Sequence, residues 1–237
     1  MNSVDVVVPV YNEERVLAQS IATLRQFLGQ NLAQEWRIVI ADNASTDKTW
    51  EIAQALSQEH ADVVAIHLDE KGRGRALRKA WLESDADIVS YMDVDLSTDL
   101  RAFPQLIRAI EEGYDIAIGS RLAPGSSVKR CFKREFASRS YNLLIRAMFR
   151  TKFSDAQCGF KALSSKAARE LVPLVQDQKW FFDTELLILA EKKGYRIKDI
   201  PVVWIEGPDS TVSIPRTAFD DLKGLLRMRF RPSTNAE

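Results

Sequence analysis

Three carboxylates crowd the end of one apolar run. Within residues 86–100, ADIVSYMDVDLSTDL, the run IVSYM ends in Asp93-Val94-Asp95, and Asp99 follows shortly after. Carboxylates this close repel one another and resist desolvation. A divalent cation would compensate them. Hard ions such as Mg2+ take oxygen ligands, usually one or two carboxylates plus phosphate oxygens. The same residues would also make a solvated acidic turn, with Asp99 capping a helix from Leu100.

Three further loops leave apolar runs with polar residues: PVYNEE from Pro9, ADNASTD from Ala41 and DEKGRG from Asp69. In open α/β sheets ligands bind beyond the carboxyl ends of the strands, so four such loops together favour a shared site. KGRG, residues 71–74, is too short for either glycine-rich nucleotide motif. It fits a loop offering backbone N–H groups and Arg73 or Arg75 to an anion at a helix start, and equally an ordinary glycine loop. His60 and His67 have no nucleophile nearby and read as structural. No Ser/His/Asp or Cys/His arrangement is present. Cys131 and Cys158 are too few for a disulfide framework, and no Cys/His cluster has zinc spacing, which fits a reducing compartment.

The segments around these loops alternate in type. Residues 4–10 are a valine-rich run, as in a strand buried on both faces. Residues 13–28 carry helical periodicity at Val16, Leu17, Ile21, Leu24 and Leu28. Residues 36–41, 63–68, 88–92 and 116–119 read as further strands. Helices are expected after DNASTD, after KGRG and over 100–112. This alternation predicts right-handed βαβ units and a mostly parallel sheet. The order changes after Gly119. Residues 133–150 read as a long basic helix, and SDAQCGFKAL as a loop entering a short strand or turn. Helices are expected over 164–175 and 183–193, and a strand over 197–205, where Pro201 suggests an edge or irregular position. Residues 217–230 read as a basic amphipathic helix, and 231–237 as a disordered tail.

The chain has 237 residues, 46% hydrophobic and 28% charged, an ordinary soluble composition that fits one large α/β domain, or one domain with a helical extension. Formal net charge is zero, so the total gives no support to a nucleic-acid partner. The charge is unevenly spread: residues 129–152 carry a net +7, residues 216–231 a net +3, and the rest −10. The basic later half would face an anionic ligand or a membrane surface. On the 133–150 helix Arg139, Arg146 and Arg150 share a face, and Phe136, Leu143 and Leu144 add apolar area. That pattern fits a surface helix packed on the core, or one lying at a membrane interface near a phosphate. The N-terminus lacks the basic and apolar regions of a signal peptide. No window reaches the ~18 apolar residues of a spanning helix.

The motifs VVVPVYNEE, ADNASTD, KGRGRALRKAW, MDVDLSTD, IGSR, SDAQCGFKAL, WFFDTELL and IPVVW occur in that order. In this set the chain resembles family 2 glycosyltransferases of the GT-A fold. The similarity is strongest to the branch of dolichyl-phosphate mannosyl- and glucosyltransferases and their bacterial polyprenyl-phosphate relatives. It covers roughly residues 4–229. The resemblance implies an α/β, Rossmann-like GT-A domain over residues 1–230: a mostly parallel central sheet flanked by helices, with basic amphipathic helices in the C-terminal half.

Roles follow from the same resemblance. Pro9, Tyr11, Asn12 and Glu13 match the first nucleotide-contacting loop, Asp42 the acid that meets the base, and Lys71 a further contact to the nucleotide sugar. Asp93 and Asp95 match the pair that bridges Mg2+ or Mn2+ to the diphosphate. Asp155 matches an acid near the sugar that activity requires. Gln157 and Lys161 share its motif, with Lys161 near the nucleotide phosphates. Asp183 and Glu185 lie where other members keep a base. Arg121 and Arg134 match arginines that hold the acceptor phosphate, with Arg139 beside them on the basic helix.

The expected function is an inverting hexosyltransferase. Its donor is a UDP- or GDP-linked sugar, and its acceptor a polyprenyl or dolichyl phosphate at the cytoplasmic membrane face. The protein would be peripheral, meeting the membrane surface or a membrane-protein partner through its basic helices. A phosphate acceptor is already an anion and needs no strong base. Transfer to a soluble or glycan hydroxyl would need one, from Asp183 or Asp155. A reading of another class is a nucleotide-binding regulatory module that never turns over.

Overall fold

The computed structural model describes residues 2–129, 131–205 and 214–230, and among these the side chains of all but 132–134 and 214–217. The expected α/β plan holds. Strands β1 (Ser3–Val10), β2 (Glu35–Asn43), β3 (Val63–Leu68) and β4 (Ile88–Met92) lie parallel in the order β3-β2-β1-β4. Helices α1 (Leu17–Asn31), α2 (Thr49–Glu59) and α3 (Arg73–Leu82) connect them. α4 (Phe103–Glu111) then leads to β5 (Ile116–Ser120). Each face of the sheet has its own apolar core. Leu17, Ile21, Phe103 and Ile107 cover one side, and Trp81, Phe182, Leu186 and Leu225 the other. Helices on both faces explain why β1 is a continuous valine run rather than an alternating one.

The sheet continues in an order the sequence did not reveal. SDAQCGFKAL enters β7 (Phe160–Ser164), which runs antiparallel between β4 and β5. β8 (Ile197–Pro201) then pairs parallel with β5 at the edge. The single strand expected over 197–205 is two. Pro201 ends the β8 ladder, because it has no N–H to donate. The chain then leaves as β9 (Val203–Ile205) to pair with β6 (Ser127–Lys129) in a separate small sheet.

The helix expected from Glu13 begins at Leu17 instead. Residues 12–14 are tied sideways to the next loop: Asn12 N–H donates to Ser45 Oγ, Glu13 N–H to Thr49 Oγ1 and Glu14 N–H to Asp47. Asn12 also has a positive φ of 56°, which no helix start tolerates. The second half holds α5 (Phe132–Phe149), α6 (Ser165–Leu171), α7 (Phe182–Lys192) and α8 (Ile214–Phe230). α8 docks closely on α7's start: a Cβ at Gly224 would lie 2.5 Å from the Phe181 ring. Its outward side exposes Phe219, Leu222, Leu226 and Phe230, and α5 exposes Phe136 and Leu143. Among the described residues no helix is long and apolar enough to cross a membrane.

Candidate active site

The carboxyl ends of β1, β2 and β4 bring the polar loops together. Asn12 Oδ1 accepts from Thr46 N–H at 2.8 Å, linking the loop after β1 to the loop after β2. Asn43 Oδ1 accepts from Gly72 N–H at 2.6 Å, linking β2 to KGRG. The Lys71 ammonium lies over the Tyr11 ring, 3.2 Å from its centroid. Pro9 sits near the end of β1, beside Ala41. Glu13 reaches the acidic loop electrostatically: burial first, then the charges of Asp95, Asp47 and Asp93, push its carboxyl above the usual range.

Asp93 is the centre of the cluster. Arg73 Nη2 donates to its Oδ1 at 2.8 Å, and the guanidinium packs over Tyr91 and Trp180. Desolvation pushes the Asp93 carboxyl up; Arg73 opposes this and Asp95 adds to it. The side chain remains 45% exposed, so it can still take a ligand from the open side. Asp95 is exposed and accepts from Ser97 N–H. Asp99 caps the 3-10 turn at Leu100 through Arg101 N–H, as expected. Gly159, at the entry to β7, lies directly against Asp93: a Cβ there would be 1.9 Å from Asp93 Oδ2.

Lys161, expected near the nucleotide phosphates, is fully buried on β7. Its ammonium lies 3.0 Å from Asp183 Oδ1 and donates to Cys158 O and the Tyr91 hydroxyl. It therefore meets the Asp183 carboxylate in the protein interior. Asp183 is equally buried, accepts from the Tyr91 hydroxyl and lies 3.7 Å from Arg73 Nη1. Lys161→Met would leave Asp183 short of a counter-charge. Removing one partner of a buried pair typically costs ~3–5 kcal/mol. A loss of that size is expected in urea denaturation.

Asp155 is also buried and paired. Arg121 Nε and Nη2 grip it at 2.7 and 2.9 Å, and Arg121 N–H adds a third bond. Burial alone would raise its carboxyl, but the charge and bonds of Arg121 hold it below the usual range. Arg121 thus pairs with an acid of the proposed site, and stacks near Trp204. Arg139 lies on the exposed side of α5, paired with Glu135. The side chain of Arg134 lies outside the described residues. Glu185 accepts from Asp177 N–H and Arg227, which ties α7 to α8 and away from the cluster.

Gln157 is held by α8: its amide donates to Asp221 Oδ2 at 2.8 Å. Asp221 is buried, and among the described residues its Oδ1 has no hydrogen-bond partner. Burial first, with Asp177, Asp220 and Asp183 adding, pushes its carboxyl up to about 7 against the Gln157 bond. Between the ordinary carboxylate value of ~4 and about 7, the unfolded chain has lost this proton and the folded chain keeps it. Stability from this group is therefore present at low pH and lost as pH rises through that window. Asp221→Asn is expected to melt above the parent at pH 8 and to match it near pH 4, read by thermal denaturation at both values.

Sequence reasoning passed over two contacts. His67, taken as structural, bonds Asp42 Oδ2 through Nδ1 at 2.7 Å. Arg73, noted only as an anion donor, instead holds Asp93.

A family model for glycosyl transferase family 2 matches residues 5–172. The chain belongs to this family. A family relative, glycosyltransferase AglD of Haloferax volcanii, is 38% identical over 219 residues, covering 90% of this chain and 35% of that protein. Dolichyl-phosphate beta-glucosyltransferase ALG5C of Trichomonas vaginalis is 30% identical over 88% of this chain and 65% of its own length. Dolichol-phosphate mannosyltransferase of Pyrococcus furiosus is 31% identical over 95% of this chain and 63% of its own. The chain thus spans about a third of the first of these family members and under two thirds of the other two. The crystal structure of glucosyl-3-phosphoglycerate synthase from Mycobacterium tuberculosis with Mn2+ and UDP-glucose superposes with a TM-score of 0.67. It is 17% identical, and the match covers 94% of this chain and 79% of that one. The fold is that of GT-A glycosyltransferases.

Proposed function

We propose that the chain transfers a hexose from a nucleoside diphosphate sugar to a dolichyl or polyprenyl phosphate, with inversion. One observation carries the reading: the division of charge in the cluster. Asp93 and Asp95 reach solvent, whereas the buried acids Asp155 and Asp183 are each tied to a cation, Arg121 and Lys161. Among the described residues these two buried acids are held in ion pairs, so the site supplies electrostatic stabilisation while neither of them is free as a base. An acceptor that is already ionised suits it, and a hydroxyl acceptor does not. The relatives named for dolichyl-phosphate transfer support the same acceptor.

The donor set fits a hard divalent ion. Two carboxylates two residues apart reach solvent, and their charge is felt at Glu13. Among the described residues no three His, Cys, Asp or Glu gather at one point, so the diphosphate would complete the shell. Mg2+ or Mn2+, held by Asp93 and Asp95, would neutralise the charge developing on the leaving diphosphate. Tyr11, Asn12 and Lys71 would line the nucleotide, and Asp42 would meet its base. Arg73 keeps Asp93 in one orientation. Asp155 and Gln157 would face the sugar, each held from behind by Arg121 and Asp221.

Arg121, fixed by Asp155, would hold an acceptor phosphate, joined by Arg134 and Arg139. Positioning must overcome the repulsion between acceptor and donor phosphates, which arginines do well. The exposed apolar residues of α5 and α8, beside Arg146 and Arg229, suit peripheral contact with an anionic membrane face.

The test is a transfer assay with Mg2+ or Mn2+, a panel of nucleotide sugars and a short polyprenyl phosphate, the organic extract read by mass spectrometry. A hexosyl-phospho-lipid that vanishes with chelator is the expected result. Free nucleoside diphosphate without lipid product would move the acceptor to another class. Nucleotide binding with no donor consumption would favour a regulatory module.

A further inference from the structure

This inference rests on the nucleotide-sugar reading, in which Asp93 and Asp95 hold a divalent ion against a diphosphate. Of four acids at the site, three have a resident cation: Asp155 has Arg121, Asp183 has Lys161 and Asp93 has Arg73. Among the described residues Asp95 has none; its carboxylate accepts from Ser97 N–H and is exposed. The Arg73 guanidinium lies between two rings, 5.1 Å from the Tyr91 centroid and 4.9 Å from that of Trp180, and its side chain is 10% exposed. An arginine keeps its charge, and a charge this enclosed is screened little.

The glycines of KGRG permit that placement. A Cβ at Gly72 would lie 2.5 Å from Gln178 O, and one at Gly74 would lie 2.6 Å from the Phe182 side chain. Arg75 N–H donates to the same Gln178 O at 3.0 Å. The first turn of α3 therefore presses against residues 178–182, which sets Arg73 beside Trp180 and Asp93.

We infer that Arg73 is a positioning residue that serves as the standing counter-cation of Asp93, so that the acid pair takes a divalent ion only together with a diphosphate. With Arg73 in place, Asp93 and Asp95 offer an ion the net charge of one carboxylate. A diphosphate brings the missing negative charge. Arg73 acts in opposite directions on the two ligands: its charge repels the ion and attracts the diphosphate. One unit charge a few ångströms from a divalent ion is worth ~10-fold in affinity even at the dielectric of water.

Two titrations of the whole chain test this. Mn2+ alone is followed by the spin resonance of the free ion. UDP and GDP are followed by calorimetry, in chelator and again with saturating Mn2+. Arg73→Met keeps the stem between the rings and loses the charge. It should bind Mn2+ alone ~10-fold tighter than the parent, and the nucleoside diphosphate in chelator ~10-fold weaker. Arg73→Lys, which keeps the charge, should restore both towards the parent. A residue that merely orients Asp93 or supports the fold would weaken both ligands when lost, so the opposite shifts separate the two roles.

In the parent, Mn2+ should tighten the diphosphate by at least ~10-fold, and by linkage the diphosphate tightens Mn2+ equally. No tightening overturns the inference without recourse to any variant. Weaker or unchanged Mn2+ binding in a folded Arg73→Met overturns the role of Arg73. Should that variant not fold, the neutral and polar Arg73→Gln is read in the same way. If neither UDP nor GDP binds under any condition, the nucleotide-sugar reading falls as well. If a UDP or GDP sugar is transferred while parent and Arg73→Met bind Mn2+ alike, only this inference falls.

Discussion

A Gly159→Ala chain is expected to lose sugar transfer by ~100-fold or more. The added Cβ would lie 1.9 Å from Asp93 Oδ2, 2.4 Å from Cγ and 2.6 Å from Oδ1. No contact of that length survives, so something must move. Asp93 N–H donates to Gly159 O, and Met92 faces Phe160 in the ladder, so the two backbones are locked together. The Asp93 carboxylate is what yields. Its bond from Arg73 breaks, and a proposed metal ligand shifts by more than an ångström. A misplacement of ~1 Å can cost ~100-fold in rate. The overpacking also costs ~1–3 kcal/mol, so the melting temperature should fall by several degrees. Transfer kinetics and a melting curve on the same sample check both. Parent-level transfer would show that the chemistry does not depend on where Asp93 points.

Asp95→Ala should have the opposite profile: no turnover in an intact fold. Asp95 is exposed, and the contact that stands out is a local bond from Ser97 N–H. Losing it should cost no more than ~0.5–1 kcal/mol. The same change removes one of two carboxylates proposed to hold the divalent ion. Loss of charge stabilisation at a diphosphate leaving group is worth at least ~1,000-fold. Divalent-ion affinity, read by titration with nucleotide present, should fall in parallel. Unchanged turnover would remove the metal reading altogether.

The first half of the fold was legible because its code is local. Buried parallel strands read as apolar runs, and each ended in polar residues that lie at the site. Asp99 could be named as a cap from two neighbours. What stayed hidden depends on partners far away in sequence. Phe160–Ser164 is too short to declare itself a central strand, and its neighbours β4 and β5 lie tens of residues upstream. Nothing in a lysine's surroundings in sequence tells its depth, so the burial of Lys161 beside Asp183 was not visible. His67 seemed idle because its partner, Asp42, sits 25 residues earlier. Gly159 gave a faint signal as a glycine before an apolar run, but its reason is a carboxylate just past the end of β4.

The antiparallel β7 also sets a timetable for the nascent chain. β4 and β5 do not touch each other in the ladder; β7 fills the slot between them. Until residue 164 has left the ribosome, both strands present bare edges, which are templates for unwanted pairing. The long reach back makes this closure slow compared with the local βαβ steps before it. The glycine that fences Asp93 arrives with the same late strand. The chain therefore completes its sheet and shapes its acidic cluster in a single event, and a molecule arrested before that event is aggregation-prone as well as inactive.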